Sequence, residues 1–455
     1  MATVNATSRL FGTDGVRGVA GQYPLDQATV WKLGRALGEV LGAEAAARPV
    51  RVVLGEDTRE SSGWIARAVA GGLASSGAEV DYAGVLTTPG VAFLTRHHGF
   101  TAGVVVSASH NPYRDNGIKV LSDSGTKLPE AMELQVEQAM SEVLMEAPAS
   151  LPALKPRAEL EGHYLNFLEG LAGNLGGLRG RRIVVDCAHG AASRVAPHLF
   201  SRLGVEAQVL NARPDGRNIN RECGALFPKA MAFETRSAGA DLGVAFDGDA
   251  DRAIFSTRSG RVADGDHVLY AAAMFLQARS ELKGRAVVGT LMTNFALELA
   301  LASHGLELKR TAVGDRWVLE EMLRSDVNLG GEPSGHIIFA DRSLAGDGLI
   351  TLLEVLGIMG VTGKSLEDLV APYAPLPQVI LNVHVRAKPP LESIPAVARA
   401  CEACRRDIDG NGRLVVRYSG TESLARVMVE AEDGAAVRKH AEAIAAAIRA
   451  AIGAV

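Results

Sequence analysis

The chain has 455 residues, of which 47% are hydrophobic, and its formal net charge at pH 7 is -5. This length exceeds what a single apolar core supports, so three or four domains are expected. The small net charge and scattered basic residues disfavour a nucleic-acid or membrane-surface partner, and no apolar run reaches the roughly 18 residues of a membrane span. Residues 1–30 also lack the apolar segment of a signal peptide, which predicts a cytoplasmic protein.

Three stretches of the chain share one layout: a short β-branched strand, a polar turn, an amphipathic helix, a glycine and a second strand. They begin near residues 50, 181 and 285. This repeated order predicts three related α/β domains with mixed or largely parallel sheets. Beyond the proline-rich APYAPLPQ at 371–378 the order of elements changes, which predicts a distinct C-terminal α+β domain. The predicted domain limits are 1–157, 158–257, 258–371 and 372–455.

Candidate site residues in the first predicted domain lie in a glycine-rich turn and at the end of a strand. SRLFGTDGVRG places Arg9 and Arg17 around a glycine-rich turn, and a simple surface charge is the alternative for each. Residues 103–106 are apolar enough for a central strand, and SASHNP follows them directly. Because α/β sheets bind ligands where such strands end, Ser107, Ser109 and His110 occupy positions typical of catalytic residues. An ordinary turn explains this motif equally well when it is taken alone.

Three aspartates, Asp247, Asp249 and Asp251, follow the apolar strand in GADLGVAFDGDADRAIF. Alternate residues of an extended segment point to one side, so the three carboxylates are predicted to converge. Such carboxylates repel one another unless they bind a cation, and their oxygen ligands favour Mg²⁺ over a solvated acidic turn. Arg252 and Arg258 occupy the glycine and glutamate positions of an EF-hand loop, which excludes that calcium site. Arg252 is also suited to a phosphate beside the metal.

The loop GGEPSGH carries groups suited to a sugar. It places Glu332, Ser334 and His336 between two apolar segments. A carboxylate and a hydroxyl on such a loop form hydrogen bonds with vicinal sugar hydroxyls. The alternative is a proline-containing turn whose glutamate faces water.

The stretch RYSGTES, which follows another strand, has the composition of a phosphate-binding loop. Arg417, Ser419 and Thr421 offer donors, and Gly420 lets backbone N–H groups approach an anion closely. A simple β-turn is the alternative. The nearby GVTGKS is not an ATP-binding P-loop, because Ile358 stands where that motif requires its first glycine.

The four cysteines are too few for a disulfide scaffold. Cys401 and Cys404 form a CxxC in the helical segment AVARACEACRRDI, without a second pair or a histidine nearby. Two thiols on a helix face are therefore favoured over a zinc or redox site, and we assign them no function.

Taken in order, FGTDGVRG, SASHNP, DGDADR, GEPSGH and RYSGTE resemble the motifs of the α-D-phosphohexomutase superfamily, and FGTDGVRG is similar to its phosphoglucosamine mutase branch. The resemblance covers nearly the whole chain. It implies a heart-shaped protein of four domains with the active site in a central cleft. It also implies a hexosamine phosphate as substrate and a homodimer.

The resemblance further implies a role for each motif residue. Ser109, beside His110, would carry the phosphoryl group, and Lys119 of NGIK would be the general acid or base. Arg17 and Arg252 would contact the transferring phosphate. The other implied roles are Mg²⁺ binding by Asp247, Asp249, Asp251 and the phosphate on Ser109, sugar binding by Glu332, Ser334 and His336, and binding of the second phosphate by Arg417, Ser419, Gly420 and Thr421.

The implied reaction interconverts glucosamine 6-phosphate and glucosamine 1-phosphate through a bisphosphate sugar that turns over in the site. A phosphomannomutase or phosphoglucomutase is the alternative within the superfamily. A Mg²⁺-dependent phosphohydrolase and a non-catalytic sugar-phosphate binding protein are the alternatives outside it. Pro333, Tyr418 and Ser423 depart from the residues usual in the superfamily, which leaves the preferred sugar open.

Overall fold

The computed structural model describes residues 9–44, 49–144, 146–175, 178, 180–419 and 423–454. Within these ranges 17 strands form four sheets, each built from its own stretch of the chain. We call each sheet with its helices a unit. Among the helices of these ranges, none combines the length and the hydropathy that crossing a membrane requires.

The first unit is a five-stranded mixed sheet with helices on both faces. Its elements are β1 (Val16–Val19), α1 (Gln27–Glu44), β2 (Arg51–Glu56), α2 (Ser62–Ser75), β3 (Glu79–Val85), α3 (Thr88–His97), β4 (Ala102–Val106), β5 (Asp115–Ser122) and α4 (Glu130–Glu142). The order is β1-β5-β4-β2-β3, with β5 antiparallel to both of its neighbours. The middle strand, β4, is buried along its whole length, as its run of valines predicts.

The second unit repeats this design. Its elements are α5 (Ala158–Leu175), β6 (Arg182–Asp186), α6 (Ala192–Leu203), β7 (Glu206–Leu210), α7 (Lys229–Ala238), β8 (Leu242–Phe246), β9 (Ala253–Thr257) and β10 (Val262–Ala263). The order is β10-β9-β8-β6-β7, so the middle strand is β8, which is again wholly buried. The strands that precede SASHNP and DGDADR therefore occupy equivalent central positions.

The third unit has a four-stranded sheet in the order β12-β11-β13-β14. Its elements are α8 (Gly265–Ala278), β11 (Ala286–Thr290), α9 (Phe295–Ser303), β12 (Glu307–Thr311), α10 (Asp315–Arg324), β13 (Leu329–Gly331), β14 (Ile337–Phe339), α11 (Gly348–Thr362) and α12 (Leu366–Val370). The strand pairs β2-β3, β6-β7 and β11-β12 are all parallel. This arrangement confirms the prediction of three related mixed-sheet α/β units.

The fourth unit differs, as predicted, because its three strands are all antiparallel. Its elements are β15 (Gln378–His384), α13 (Pro395–Ile408), β16 (Gly412–Tyr418), β17 (Leu424–Ala431) and α14 (Gly434–Ile452). The sheet order is β15-β17-β16. Cys401 and Cys404 are free thiols buried in the apolar core of this unit.

The apolar cores divide the chain differently from the sheets. One continuous cluster joins Leu86 of the first unit, Tyr164 and Val244 of the second, and Leu352 of the third. Helix α11 lies in this cluster and is buried from Gly348 to Met359, as expected for a helix that is apolar on every side. The fourth unit encloses a separate core of its own.

The N-terminus of α11 is fixed by Asp347, which is buried. Its carboxylate accepts hydrogen bonds from the backbone N–H groups of Leu349 and Ile350 at 2.8 and 3.1 Å. It also accepts one from the hydroxyl of Tyr164, on helix α5, at 2.6 Å. Burial, which outweighs these hydrogen bonds, raises the pKa of Asp347 to about 6. This cap therefore ties the second unit to the third.

We expect Asp347→Ala to lower the free energy of unfolding by about 2 kcal/mol, because the helix loses its cap and the Tyr164 hydroxyl loses a buried acceptor. Urea denaturation followed by circular dichroism measures the change. Asp433→Ala is the control: Asp433 caps α14 in the same way but is exposed. That variant should lose only about 1 kcal/mol. An Asp347→Ala protein as stable as wild type would contradict the assignment.

Candidate active site

Ser109 lies at the point where the first and second units meet. It is buried, and its backbone is in the left-handed region at φ 51°, a conformation that is unfavourable for a residue with a side chain. Its Oγ donates a hydrogen bond to Asp247 Oδ2 at 2.5 Å and lies 3.3 Å from His110 Nδ1. The loops that follow β4 and β8 are thus in direct contact.

The three aspartates converge through a turn. One carboxylate oxygen of each of Asp247, Asp249 and Asp251 lies within 4.8 Å of the others, and all three residues are buried. The expected extended geometry is wrong, because the chain turns after Phe246 and Ala250 adopts φ 59°. A tight turn brings alternate carboxylates together more closely than a straight strand, whose alternate side chains are about 7 Å apart.

These three carboxylates fit a metal ion. Asp249 Oδ1 and Asp251 Oδ1 are buried and have no hydrogen-bond partner among the described residues. Burial and the neighbouring carboxylates of Asp251 and Asp249 raise the pKa of Asp247. Buried acceptors without a partner are costly, and a hard divalent cation takes oxygen ligands of this type. The triad can therefore bind a metal ion.

Lys119, on β5, brings a buried positive charge to the same cluster. Its Nζ lies 2.8 Å from Asp249 Oδ2 and 3.5 Å from carboxylate oxygens of Asp251 and Asp14. Burial alone would lower the pKa of Lys119, but these three carboxylates raise it well above its usual value. The amine is therefore a charged donor at neutral pH.

The pKa values of two histidines of the cluster shift in opposite directions. Burial and the guanidinium groups of Arg252 and Arg17 lower the pKa of His110 to about 4, so its imidazole is neutral at pH 7. Burial acts against protonation of His336 as well, but its contact with Asp251 raises its pKa. His336 Nδ1 lies 3.8 Å from Asp251 Oδ2.

The GGEPSGH loop of the third unit reaches the same place. Its residue Gly335 accepts a backbone hydrogen bond from Ala253 of β9 at 3.0 Å. A side chain at Gly335 would collide with that backbone, and its φ of 91° also requires glycine. Ser334 Oγ is buried without a hydrogen-bond partner in the described ranges, and Glu332 accepts one from the N–H of Gly314 at 3.1 Å.

A cavity of about 430 Å³ opens between the first and third units beside these groups. Its charged and polar lining includes Asp14, Lys119, Asp251 and His336. Its apolar lining includes Leu121, Leu128, Trp317, Leu319 and Leu323. This volume is in the range of small-molecule sites in general.

The residues predicted to form a phosphate-binding loop belong to the fourth unit and do not line this cavity. Arg417 belongs to strand β16, which corrects its expected position in a turn after the strand. It lines a separate cavity of about 300 Å³ between the third and fourth units. The carbonyl of Ser419 accepts a hydrogen bond from Lys388 Nζ at 2.7 Å. Gly420 and Thr421 lie outside the described residues.

Several residues around Ser109 escaped the sequence analysis. Thr88 Oγ1 donates to Asp249 Oδ2 at 2.5 Å. Arg59 Nη2 and Asn220 Nδ2 donate to the carbonyl of Ser109 at 2.9 and 2.8 Å. Arg59 follows β2 directly in GEDTRESS, so the strand-end rule that found Ser109 would have found it. Asn220 lies in an irregular segment that offers no such pattern.

Comparison with known proteins agrees with this architecture. The chain matches the phosphoglucomutase/phosphomannomutase alpha/beta/alpha domains I, II and III and the C-terminal domain of the same family. The matched residues are 8–146, 164–260, 264–376 and 380–447, respectively. Among solved structures, a phosphoglucomutase/phosphomannomutase family protein from Burkholderia thailandensis superimposes with a TM-score of 0.78 at 23% identity, covering 97% of this chain and 98% of that chain. The likeness at this identity shows the fold.

Curated relatives are more similar in sequence. The phosphoglucosamine mutase of Koribacter versatilis is 49% identical, over 98% of this chain and 97% of that protein. The phosphoglucosamine mutase of Solibacter usitatus is also 49% identical, over 98% of this chain and 99% of that protein. The chain therefore belongs to the phosphoglucosamine mutases, within the phosphoglucomutase/phosphomannomutase family.

Proposed function

We propose that this chain interconverts glucosamine 6-phosphate and glucosamine 1-phosphate by way of a phosphoserine at Ser109. The observation that carries the proposal is the hydrogen bond of 2.5 Å between Ser109 Oγ and Asp247, a member of the buried triad. A phosphate on that oxygen would stand next to the cation site and to the Lys119 ammonium. The relatives that match nearly the whole chain support glucosamine as the sugar.

Phosphoryl transfer exchanges one phosphoryl group and one proton between Ser109 and the sugar phosphate. The bond from phosphorus to Ser109 Oγ breaks while a bond to the free hydroxyl oxygen of the sugar phosphate forms. The proton of that hydroxyl ends on Oγ, and we assign its transfer to Lys119, whose ammonium donates first and whose amine then accepts. The resulting bisphosphate sugar reorients in the site, and its other phosphoryl group is then transferred to Ser109 by the reverse of this exchange. Each cycle therefore regenerates the phosphoserine.

The surrounding groups suit a highly charged ligand. The Nε atoms of Arg17 and Arg252 are buried without a hydrogen-bond partner among the described residues, so they are fit to receive phosphate oxygens. We assign Mg²⁺ to the triad, where it would neutralise charge on the transferring phosphoryl group. We assign the sugar to Glu332, Ser334 and His336, and the second phosphate to Arg417, Ser419, Gly420 and Thr421.

The domain limits, the homodimer and the cytoplasmic location belong to the same proposal. The first domain, 1–157, would carry the phosphoserine and the second, 158–257, the metal. The third, 258–371, would bind the sugar and the fourth, 372–455, the phosphate that is not reacting. Such a division explains why Arg417 lies on a unit with its own core, since that unit can move relative to the others.

An assay of the purified protein with Mg²⁺ tests this function. Conversion of glucosamine, glucose and mannose 6-phosphates to their 1-phosphates is followed together with the release of inorganic phosphate. We expect the glucosamine substrate to be preferred and no phosphate to be released. Preference for glucose or mannose would indicate a phosphoglucomutase or phosphomannomutase. Steady phosphate release without isomerisation would indicate a phosphohydrolase, and binding without turnover a binding protein.

A further inference from the structure

The side chain of Arg59 lies wholly buried beneath the Ser109 loop, which we define as residues 108–115. Its Nε donates to Asp57 Oδ2 at 2.8 Å. Its four remaining N–H groups are directed at backbone carbonyls of the loop, those of Ser109, Asn111, Pro112 and Asp115. All five donors of the guanidinium are thus used, four of them on one loop.

Asp57 extends this contact to the other side of the Ser109 peptide. Its carboxylate accepts hydrogen bonds from the hydroxyls of Ser62 and Ser107, both at 2.7 Å. Ser107 Oγ in turn accepts one from the N–H of Ser109 at 3.0 Å. Ser107 therefore links the N–H of Ser109 to Asp57, and Arg59 links the carbonyl of Ser109 to the same carboxylate.

The second unit holds the same loop from the opposite side. Asn220 Nδ2 donates to the carbonyls of Ser109 and Asn111 at 2.8 and 3.1 Å. Gly248, between two aspartates of the triad, packs so closely that a Cβ there would lie 2.4 Å from the Ser109 carbonyl oxygen. The Ser109 backbone is consequently enclosed by groups from two units.

A buried arginine often serves the fold alone, but here its acceptors belong to the loop that carries Ser109 and its strained backbone. We propose that Arg59 is a positioning residue for phosphoryl transfer: held by Asp57, it fixes the left-handed backbone at Ser109 and so directs Oγ at Asp247. The inference rests on the phosphoserine function proposed above. Arg59 touches no reacting atom and acts through the Ser109 peptide.

Substitution of Arg59 separates positioning from substrate binding. We expect Arg59→Lys to lower kcat about 100-fold or more while KM for the sugar phosphate stays within about 3-fold, because one ammonium does not span four carbonyls. Millimolar guanidinium should restore part of kcat to Arg59→Ala and none to Ser109→Ala. The control is Arg217→Ala, which removes an exposed arginine paired with Glu60 on the surface. An Arg59→Lys enzyme with wild-type kcat would overturn the proposal.

Two further measurements test the role of Arg59 if its variants do not fold or if the preferred sugar is not glucosamine. If the Arg59 variants do not fold, Asn220→Ala removes a donor to the same carbonyl, and an unchanged kcat in that variant would overturn the proposal. Discharge of phosphate from Ser109 to any hexose phosphate, followed by intact mass, is independent of the preferred sugar. A slow discharge in Arg59→Lys supports positioning even where glucosamine 6-phosphate proves not to be the substrate. A wild-type protein that never carries phosphate on Ser109 would overturn both proposals.

Discussion

Ser109→Ala is expected to reduce kcat for sugar-phosphate isomerisation by at least about 10⁴-fold, because the oxygen that accepts and returns the phosphoryl group is lost. The change removes one atom from a buried site and leaves the three aspartates in place. Binding of a divalent cation should therefore persist. Steady-state kinetics measure the loss of kcat, and Mn²⁺ binding followed by electron paramagnetic resonance measures the cation affinity. Intact mass after incubation with a sugar bisphosphate shows whether the protein acquires a phosphate.

Ser141→Ala is the matched control for Ser109→Ala. Ser141 lies exposed on α4, and its hydroxyl donates to the carbonyl of Gln138 in the same helix. This variant should keep wild-type kcat and acquire one phosphate on the protein, whereas Ser109→Ala acquires none. Residual isomerisation at more than a hundredth of the wild-type rate in Ser109→Ala would exclude Ser109 as the phosphoryl carrier.

Lys119→Met is expected to lower kcat by about 10²- to 10⁴-fold, the usual contribution of a positioned acid or base. Metal affinity should not fall with it. The ammonium lies 2.8 Å from Asp249 and 3.5 Å from Asp251, so it competes with a cation for their oxygens. Mn²⁺ binding followed by electron paramagnetic resonance separates the two effects: affinity should be equal to or tighter than in wild type.

The stability of the Lys119→Met protein should depend on the metal. Removal of the ammonium leaves buried carboxylates without their positive partner, which destabilises the metal-free protein by about 3–5 kcal/mol. Added Mg²⁺ should therefore raise the melting temperature more in the variant than in wild type. Lys127→Met is the control, because Lys127 pairs with Asp14 and Asp315 at 2.7 and 2.6 Å and not with the triad. Its melting temperature should respond to Mg²⁺ as that of wild type does. A parallel loss of metal binding and kcat in Lys119→Met would contradict this account.

The two strands that precede Ser109 and the three aspartates were predictable, because an apolar run is a local property of the sequence. Uninterrupted apolar runs identified β4 and β8, and both occupy the middle of a sheet. Polar residues directly after such strands pointed to Ser109 and the three aspartates. The turn that brings the aspartates together was missed, since it depends on a left-handed residue, Ala250, that nothing in the composition marks.

The remaining site residues depend on long-range pairing of the chain. Lys119 reaches the carboxylates because β5 pairs antiparallel with β4, which places it opposite Val105. Its assignment came from the resemblance to a family and not from a local pattern. Arg59 and Asn220 bind backbone carbonyls, which every residue possesses. Their partners are therefore determined by the path of the folded chain and not by residue type.

The division of the apolar cores determines how this protein loses its structure. The first three units each contribute to one continuous core, alongside smaller clusters within the single units, so we expect heat or denaturant to melt them as a single cooperative block. The fourth unit encloses its own core and forms a second block. Asp347→Ala should therefore lower the stability of the block formed by the first three units, and Asp433→Ala that of the fourth unit. Ser109, the triad and Lys119 should therefore lose their structure in one step, whereas the strand that carries Arg417 can unfold independently of them.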